Sequence, residues 1–276
     1  MFKIARVGLH HYEEPVISGK KGSGTVFFCG CTLKCVFCQN YEISQGKKGI
    51  DVSEGELCDM FFYLKDKGAH NINLVSPSLY VASIPNALKR AKEQGLDLPF
   101  VYNTSAYESV ESLKKLDGLV DVYLPDYKYA DDSLAWKLSR AKNYDEIAYK
   151  AISEMKRQQP KNIIKGKLIK KGVIIRHLVL PGEVENTKAV FKRIASINLD
   201  SVVSVMAQYF PVPAVSGTSI DRRLTQDEYD DAIDAFFDAG LKSGYMQELG
   251  SATEEYVPDF DLDELQAVLD DCRSKR

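Results

Sequence analysis

Short apolar segments alternate with helix-like segments through most of this chain of 276 residues. Six of the apolar segments are rich in β-branched and aromatic residues, which indicates buried strands. They are residues 25–29, 71–75, 100–102, 120–124, 173–180 and 202–206. Strands that alternate with helices in this way predict a parallel sheet joined by crossover helices.

The segment after the first predicted strand carries a clear helix signal. Ser53 and Glu56 form a capping box, and Gly68 is a stop signal. Apolar residues between them recur at the spacing of one helix face: Leu57, Met60, Phe61 and Leu64. Further helices are predicted over residues 83–94, 108–116, 143–155 and 187–197. Asn143 and Glu146 are expected to cap the third of these.

The number of strand-helix units limits the choice of fold. Six units are fewer than the eight of a closed barrel, so an open partial barrel and a doubly wound sheet both fit this α/β pattern. Residues 22–212 form the predicted core domain, after an irregular N-terminal extension over residues 1–21. Past Pro211, Thr225 and Glu228 cap a helix. Residues 213–276 are therefore expected to form a helical C-terminal extension packed on the core.

Composition excludes several classes of protein without naming a partner. Hydrophobic residues make up 45% of the chain and charged residues 27%, as in ordinary globular domains. A net charge of −3 argues against a dominant attraction to nucleic acid or to a membrane surface. No stretch approaches the roughly 20 apolar residues of a membrane span, and no secretory signal pattern is present. We therefore expect a cytoplasmic protein that does not bind membranes.

Four of the six cysteines crowd into residues 29–38. In a large chain without a secretory signal, such crowding indicates metal ligation rather than disulfides. Cys31, Cys35 and Cys38 are spaced as C-x3-C-x2-C on the loop after the first strand. Because electron-transfer clusters normally take four cysteines, three thiols predict a cluster with one iron open to an exchangeable ligand. Cys29 is an alternative fourth ligand, although a packed thiol is expected near the end of a buried strand.

A structural zinc site is the alternative interpretation of the three thiols. Zinc sites favour four ligands, arranged as paired C-x2-C motifs or completed by histidines. The chain has no second C-x2-C pair. An iron-sulfur cluster is therefore the preferred interpretation.

Polar residues follow several predicted strands directly. In chain order they are the three cysteines, Ser76, Ser78, Asn103, Asp126 and Lys128. The carboxyl ends of parallel strands form the active-site edge in barrels and in doubly wound sheets. Asp126 and Lys128 lie two residues apart in an extended segment, so their side chains share one face. A carboxylate and an ammonium group there suit a zwitterionic ligand, with an ordinary ion pair as the alternative.

These motifs resemble those of a known enzyme family. The pattern C-x3-C-x-[aromatic]-C, with Phe37 as the aromatic residue, resembles the signature of the radical S-adenosylmethionine (SAM) superfamily. More narrowly, residues 38–40, 124–128 and 176–182 resemble the pyruvate formate-lyase activating enzyme group. The similarity covers about residues 22–212, whereas residues 10–15 and the C-terminal part look like a less characterised branch. The resemblance implies a partial (β/α)6 TIM-like barrel with N-terminal and C-terminal extensions.

The resemblance implies two cofactors, a [4Fe-4S] cluster on Cys31, Cys35 and Cys38, and SAM on the open iron. One electron, expected from a flavodoxin- or ferredoxin-type donor, cleaves a C–S bond of SAM. The products are methionine and a 5′-deoxyadenosyl radical, which abstracts a hydrogen atom from the substrate. The protein then supplies a dry, oriented cavity, since the cofactors carry the difficult chemistry.

Matching positions imply which side chains contact SAM. Asn40 lies beside the cluster and SAM, Asp126 and Lys128 contact SAM, and Asn103 supplies a further polar contact. No side chain is expected to act as a catalytic residue beyond these binding roles.

Two positions depart from the family pattern. Many members carry a Gly-Gly-Glu turn after the second strand, where this chain has Ser76, Pro77 and Ser78. The two serines are candidates to contact SAM, but neither reproduces a carboxylate's charge. After the last strand, where activating enzymes carry a histidine against SAM, Gln208 is the expected substitute without a titratable group.

Three other polar features allow two interpretations each. Arg176 and His177 alternate on a strand, so at most one faces the cavity; Arg176 is preferred because guanidinium suits carboxylates, while His177 fits a ligand or a core position. His10 and His11 are expected in a packed or solvated segment, with metal binding as the alternative. Residues 156–171 carry seven bases and no acid. A solvated turn is the preferred interpretation, over a site for nucleic acid or an acidic donor.

Three functions fit these motifs. The first is an activase that creates a glycyl radical on a partner enzyme. The second is a radical SAM enzyme that modifies a small molecule or another peptide, which the missing Gly-Gly-Glu turn favours. The third is a non-catalytic iron-sulfur protein for electron transfer, against which the open-iron spacing argues. The sequence does not name the substrate.

Overall fold

The computed structural model describes residues 1–46, 48–251 and 258–274. The described strands are β1 (Phe2–His10), β2 (Ser23–Phe28), β3 (Ile50–Val52), β4 (Ile72–Val75), β5 (Phe100–Thr104), β6 (Val122–Pro125), β7 (Ile163–Lys165), β8 (Leu168–Leu178), β9 (Val202–Met206) and β10 (Ser243–Met246). The described α-helices are α1 (Pro15–Ser18), α2 (Tyr41–Ser44), α3 (Glu54–Asp66), α4 (Ile84–Glu93), α5 (Val110–Lys114), α6 (Asp132–Ser139), α7 (Tyr144–Gln158), α8 (Val184–Ile197), α9 (Gln226–Asp238) and α10 (Leu262–Ser274).

One large sheet organises the molecule, in the order β10-β9-β8-β6-β5-β4-β2-β1-β3. Every pair of neighbours from β2 to β10 is parallel, whereas β1 and β3 run antiparallel at the other edge. Within the described strands, β10 and β3 do not pair, so the sheet is not closed. This confirms the α/β fold with its mostly parallel sheet.

The two faces of the sheet carry different side chains because residues alternate along each strand. On the outer face, residues such as Leu74, Tyr102 and Ile175 belong to the main apolar core formed with the helices. On the inner face, a separate apolar cluster joins residues of β5, β6 and β8: Val101, Val122, Leu124, Ile169 and Ile174. Two positions after residues of this cluster, the polar residues Asn103, Asp126 and Arg176 follow on the same face and line a cavity.

The N-terminal residues are more regular than predicted. β1 pairs with β2 and β3, and its register shifts between Ile4 and Arg6. Helix α1 then places Ile17 in the inner-face apolar cluster. The prediction of an irregular N-terminal stretch is therefore wrong, since this segment supplies a strand and covers the deep end of the inner face.

The C-terminal region also contributes to the sheet. β10 pairs in parallel with β9, so a purely helical extension after residue 212 is a wrong prediction. The capping box of Thr225 and Glu228 at the start of α9 is confirmed. Helix α10 packs against α3 and β1, and Arg273 contacts Glu56 at 2.6 Å. The division into domains at residues 21 and 212 stays a prediction.

Several local predictions can be checked directly. The capping box of Ser53 and Glu56 is confirmed at α3. Asn143 precedes α7 with φ 53°, and its side chain makes no capping hydrogen bond, so that predicted cap is wrong. The basic segment forms the end of α7 and an exposed hairpin of β7 and β8 instead of a simple turn. No helix in the described part of the chain is long and apolar enough to cross a membrane.

Candidate active site

The loop after β2 carries the three clustered cysteines, and backbone hydrogen bonds fix it on α6. The Lys34 N–H donates to the Ser139 carbonyl at 2.9 Å, and the Val36 N–H donates to the Leu138 carbonyl at 2.8 Å. Gly30 starts the loop with φ 87°, a left-handed conformation that favours glycine, and a Cβ there would collide with the Leu79 side chain. The sequence Phe28-Cys29-Gly30 therefore ends the strand sharply and leads into the cysteine loop.

Cys31, Cys35 and Cys38 all line one cavity of about 680 Å³ at the carboxyl ends of the strands. The Ser139 hydroxyl donates to Cys35 Sγ at 3.0 Å. Burial raises the pKa of the Cys31 thiol, and it raises that of Cys35 to about 12. Bound iron would overcome this burial effect, because a coordinated thiol is held as the thiolate.

Cys29 has a different environment from the other three cysteines. Its thiol donates to the Lys48 carbonyl at 2.9 Å, and its side chain packs in a small apolar cluster instead of lining the cavity. Burial raises its pKa to about 11. The position fits the packed thiol that the sequence suggests and gives no support to a fourth ligand. Among the described residues, no three His, Cys, Asp or Glu side chains converge around a point for a single metal ion.

The side of the cavity next to the thiols is here called the cluster rim. It consists of Cys31, Cys35, Cys38, Asn40, Asp126 and Lys128. Lys128 Nζ lies 2.8 Å from Asp126 Oδ2, and both side chains are largely buried. Burial raises the pKa of Asp126, but Arg176 and Lys128 outweigh this effect and hold it below the usual value. The rim therefore keeps an ionised carboxylate between two cations, beside the thiols.

The deeper polar part of the cavity is here called the cavity floor. It consists of Glu13, Glu14, Asn103, Arg176 and Ser204. The guanidinium of Arg176 contacts three partners: Asp126 at 2.8 Å, Glu13 at 3.1 Å and Asn103 Oδ1 at 2.6 Å. Burial lowers the pKa of Arg176, but Asp126, Glu13 and Glu14 hold it above the usual value. Arg176 thus links the rim to the floor.

Glu13 and Glu14 come from the turn between β1 and α1, a segment that sequence reasoning did not assign to the site. Glu13 Oε1 accepts hydrogen bonds from Asn73 at 3.0 Å and from Asn103 at 3.4 Å. Burial raises the pKa of both carboxyls, while Arg176 lowers it to a smaller extent. The only sequence signal for them was the acidic pair before Pro15 in a segment that otherwise lacked a pattern.

Most of the predicted site residues meet in this cavity. Those that line it, besides the thiols, are Asn40, Ser76, Asn103, Asp126, Lys128, Arg176 and Gln208. Ser76 adopts φ 55°, the left-handed region that glycine would favour in a Gly-Gly-Glu turn. Gln208 Oε1 accepts a hydrogen bond at 2.9 Å from Gln247, a cavity residue of the C-terminal region that sequence reasoning missed.

Two residues point elsewhere. The Ser78 hydroxyl contacts Glu108 at 2.8 Å and Thr104 at 3.3 Å, and Ser78 does not line the cavity. The expectation that Ser78 contacts SAM is corrected. Pro77 leads into a short 3-10 turn that begins at Ser78, and the Ser78 side chain there points to buried Glu108. His177 is buried on the outer face, where its ring nitrogens contact the Tyr127 carbonyl and the Thr187 hydroxyl. Of its two interpretations, His177 therefore fits the core position and not the ligand.

The thiols and most of the strand-end polar residues lie in a part of the chain that matches a known family. A family model described as "Radical SAM superfamily" matches residues 25–194. The chain belongs to the radical SAM superfamily. Enzymes of this family use a [4Fe-4S] cluster and SAM, and these are the cofactors of this chain.

Two curated relatives and one solved structure are similar to this radical SAM protein. It is 35% identical over 238 residues to "Uncharacterized protein MJ0674" of Methanocaldococcus jannaschii, covering 82% of this chain and 64% of the relative. It is 28% identical over 134 residues to "Putative glycyl-radical enzyme activating enzyme MJ1227" of the same organism, covering 48% of this chain and 54% of the relative. The chain therefore spans less than two thirds of the length of either relative.

The solved structure of methylornithine synthase (PylB) shares the fold, with a TM-score of 0.53 and 16% sequence identity. It covers 89% of this chain and 80% of the compared chain. At this level of identity the likeness shows the fold alone, a partial TIM-like barrel whose sheet remains open here.

The residues present fit both cofactors of the radical SAM family. Three free thiols on one loop suit a cluster with an open iron. The paired charges of Asp126 and Lys128 suit a zwitterion, and the cavity volume of about 680 Å³ lies within the usual range for small-ligand pockets, roughly 300–1,000 Å³.

Proposed function

We propose that this radical SAM protein holds its cluster on Cys31, Cys35 and Cys38, binds SAM at the cluster rim, and abstracts a hydrogen atom from a substrate in the same cavity. The observation that carries the proposal is the common cavity itself, which the three thiols share with the charged residues of rim and floor. When bound, the reduced cluster and SAM supply a 5′-deoxyadenosyl radical. The protein's own residues bind and orient SAM and the substrate, and they exclude water from the cavity.

The charged rim residues are suited to orient SAM. Lys128 uses one of its three N–H donors on Asp126, so the others remain for a carboxylate. Asp126 is held ionised by Lys128 and Arg176 and can accept from the amino group or the ribose of a ligand. Asn40 begins α2 without a capping hydrogen bond from its side chain, which leaves its amide for a ligand.

Apolar residues of the cavity exclude water around the reacting atoms. They are Phe27, Leu33, Phe37, Val75, Leu178 and Met206. Phe37 and Tyr209 pack edge to face, with ring centroids 6.1 Å apart, and this fixes Phe37 between the last two thiols. Such a lining protects a radical from quenching by solvent.

A small polar molecule is the substrate class that the cavity favours most. The turn before α1 inserts Glu13 and Glu14 into the cavity, and one carboxylate oxygen of Glu14 has no hydrogen-bond partner there, so a polar group is available at the floor. Activation of a glycyl-radical enzyme is the second candidate. The similarity to the putative glycyl-radical enzyme activating enzyme MJ1227 supports it.

The surface beside the cluster loop suits an acidic electron donor. Lys34, Lys137 and Arg140 are exposed there, on the loop and on the end of α6 to which it is bonded. A flavodoxin- or ferredoxin-type protein is our proposed donor, because opposite charges steer such encounters. Thiols that must stay reduced also fit the cytoplasm, which we propose as the location.

Formation of 5′-deoxyadenosine tests the proposed function. The cluster is reconstituted anaerobically, dithionite and SAM are added, and 5′-deoxyadenosine is quantified by chromatography. We expect product from wild type and from Cys29→Ala, and none from Cys35→Ala. Absence of product from cluster-loaded wild type would remove the enzyme proposal in favour of electron transfer. A glycyl-radical signal after mixing with a candidate partner enzyme would support the activase over the small-molecule reaction.

A further inference from the structure

One carboxylate oxygen at the cavity floor has no hydrogen-bond partner. Glu14 is only 8% exposed, yet its Oε2 atom is unpaired. The other two unpaired buried side-chain oxygens of the described residues belong to Asn73 and Ser201, which do not line the cavity. A buried carboxylate oxygen without a donor is costly, so its presence beside a cavity indicates that a ligand supplies the donor.

No lysine or arginine of the described cavity lining forms an ion-pair contact with Glu14. The carboxylates that line the cavity are Glu13, Glu14 and Asp126, whereas the lysine and arginine side chains are Lys128 and Arg176 alone in the described lining. Both cations already contact other residues: Lys128 contacts Asp126, and the three guanidinium nitrogens of Arg176 contact Asp126, Glu13 and Asn103. One negative charge therefore remains, and it lies on the residue with the unpaired oxygen.

Ser204 marks where the floor lies along β9. It lines the same cavity as Glu14, its hydroxyl lowers the pKa of that carboxyl, and it lies opposite Arg176 and Tyr245. Met206 lies two residues farther along β9, about 7 Å closer to the strand end. Arg176, the neighbour of Ser204 on β8, is in turn paired with Asp126 of the cluster rim. The floor therefore adjoins the rim, so a substrate at the floor can lie next to a ligand at the rim.

We propose that Glu14, supported by Ser204, binds an ammonium group of the substrate. An ammonium group supplies both the missing donor and the missing positive charge, whereas a neutral hydroxyl supplies only a donor and a carboxylate supplies neither. The substrate is then a small organic amine whose cationic end is held at the floor. This proposal rests on the proposed function, because it names the substrate class of the same cavity.

The electrostatics of the floor agree with this assignment. Burial raises the pKa of Glu14, Arg176 lowers it in part, and neighbouring Glu13 raises it further. A bound cation would stabilise the ionised form of Glu14, which burial deprives of stabilising water. Charge-assisted hydrogen bonds of this kind are the stronger ones in proteins.

Binding of n-butylammonium tests the proposal without any need for turnover. The protein carries its oxidised cluster and saturating SAM, and binding is followed by saturation-transfer NMR. n-Butanol and butyrate are the neutral and anionic probes of equal length. Variants are Glu14→Gln, which removes the charge but keeps the shape, and Glu185→Gln as control, since Glu185 is 86% exposed on α8. Melting temperatures verify that each variant is folded.

We expect n-butylammonium to bind wild type and Glu185→Gln equally, and Glu14→Gln about tenfold or more weakly. The other two probes should not bind measurably. Equal binding to Glu14→Gln, or binding of butyrate as strong as that of n-butylammonium, would overturn the proposal. A second titration omits SAM, and n-butylammonium binding that is seen only without SAM would also overturn the proposal, because Glu14 would then hold SAM. If Glu14→Gln does not fold, Glu14→Ala takes its place, and wild-type affinity in that variant, which lacks the carboxylate, would equally contradict the proposal.

The outcome is separable from that of the 5′-deoxyadenosine assay. Selective amine binding in a protein that makes no 5′-deoxyadenosine would leave the floor site standing and remove the enzyme function. Product formation without selective amine binding would support the enzyme function and remove the proposed ammonium site at the floor.

Discussion

The cluster rim and the cavity floor lie in one cavity but treat their charges differently. At the rim, the Asp126 carboxylate has a cation on each side, Lys128 and Arg176, both at 2.8 Å. At the floor, Glu13 shares Arg176, while Glu14 keeps one oxygen unpaired. Both regions are buried, so solvent does not explain the difference.

This difference indicates two roles for buried charge. A carboxylate held between cations is preorganised, and it can orient a ligand without moving. A carboxylate without a partner remains costly until a ligand arrives, so it suits recognition of a cation. We therefore propose that the rim binds SAM and that the floor binds the substrate.

The largest effect is expected from loss of a rim thiol. In Cys38→Ala, two thiols remain on the loop, and we expect reconstituted protein to lose nearly all cluster iron and sulfide. Cys29→Ala should retain the wild-type content, because that thiol packs in an apolar cluster and donates to the Lys48 carbonyl. Iron and sulfide assays on both variants make the comparison. Loss of the cluster in Cys29→Ala instead would make Cys29 a ligand.

The second effect concerns Asp126, the residue between rim and floor. Asp126→Asn leaves Lys128 and Arg176 with less negative charge, so we expect a loss of about 3–5 kcal/mol in the free energy of unfolding. SAM affinity, measured by calorimetry on cluster-loaded protein, should fall about tenfold or more. Glu146→Gln is the control, since Glu146 is 58% exposed in its pair with Lys150 and should cost no more than about 0.5 kcal/mol. Equal destabilisation by both substitutions would contradict the assignment of a preorganised carboxylate to the rim.

The two floor glutamates should respond differently to neutralisation. Glu13→Gln removes a charge that contacts Arg176, and we expect a loss of about 1–3 kcal/mol in ligand-free protein. Glu14→Gln removes an unpaired buried charge, so we expect a change within about 1 kcal/mol of wild type, or a gain. Urea unfolding of cluster-free protein at neutral pH measures both. A larger loss from Glu14→Gln than from Glu13→Gln would show that Glu14 is already paired.

The smallest effect is a pH dependence. Burial raises the folded-state pKa of Glu14 above 4.5, so the folded protein retains this proton to higher pH than the unfolded chain does. The corresponding stability is full below about pH 4.5 and is lost as pH rises through the folded pKa. Glu13 contributes with the same sign. Urea unfolding as a function of pH should show a shallower decline in Glu14→Gln, and an unchanged slope would contradict the raised pKa.

The rim was predictable from sequence because its signals are local. The cysteine spacing lies on one loop, and Asp126 and Lys128 follow one strand at a two-residue interval that fixes a common face. The strands themselves are buried apolar runs bounded by turns, which periodicity identifies. Parallel pairing then brings their carboxyl ends to one edge of the sheet.

Of the floor residues, Asn103 and Arg176 were predicted from the sequence, whereas Glu13, Glu14 and Ser204 were not. The two glutamates follow β1, an element with a weak local pattern. The register shift near Ile4 breaks the alternation of β1, so Ile4 and Ala5 are both buried. β10 is a short, largely exposed strand that contains Gly244. Glu14 and Ser204 line one cavity although they lie far apart in the chain, a long-range relation that a single sequence does not display.

Reduced-state electron paramagnetic resonance of cluster-loaded protein, with and without SAM, tests most directly whether the rim holds an open-iron cluster that binds SAM. We expect a [4Fe-4S]⁺ signal in wild type that changes when SAM is added, and no such signal in Cys35→Ala. A wild-type signal that SAM leaves unchanged would contradict the assignment of the rim to SAM, and an undiminished signal in Cys35→Ala would contradict the assignment of the cluster to the three thiols.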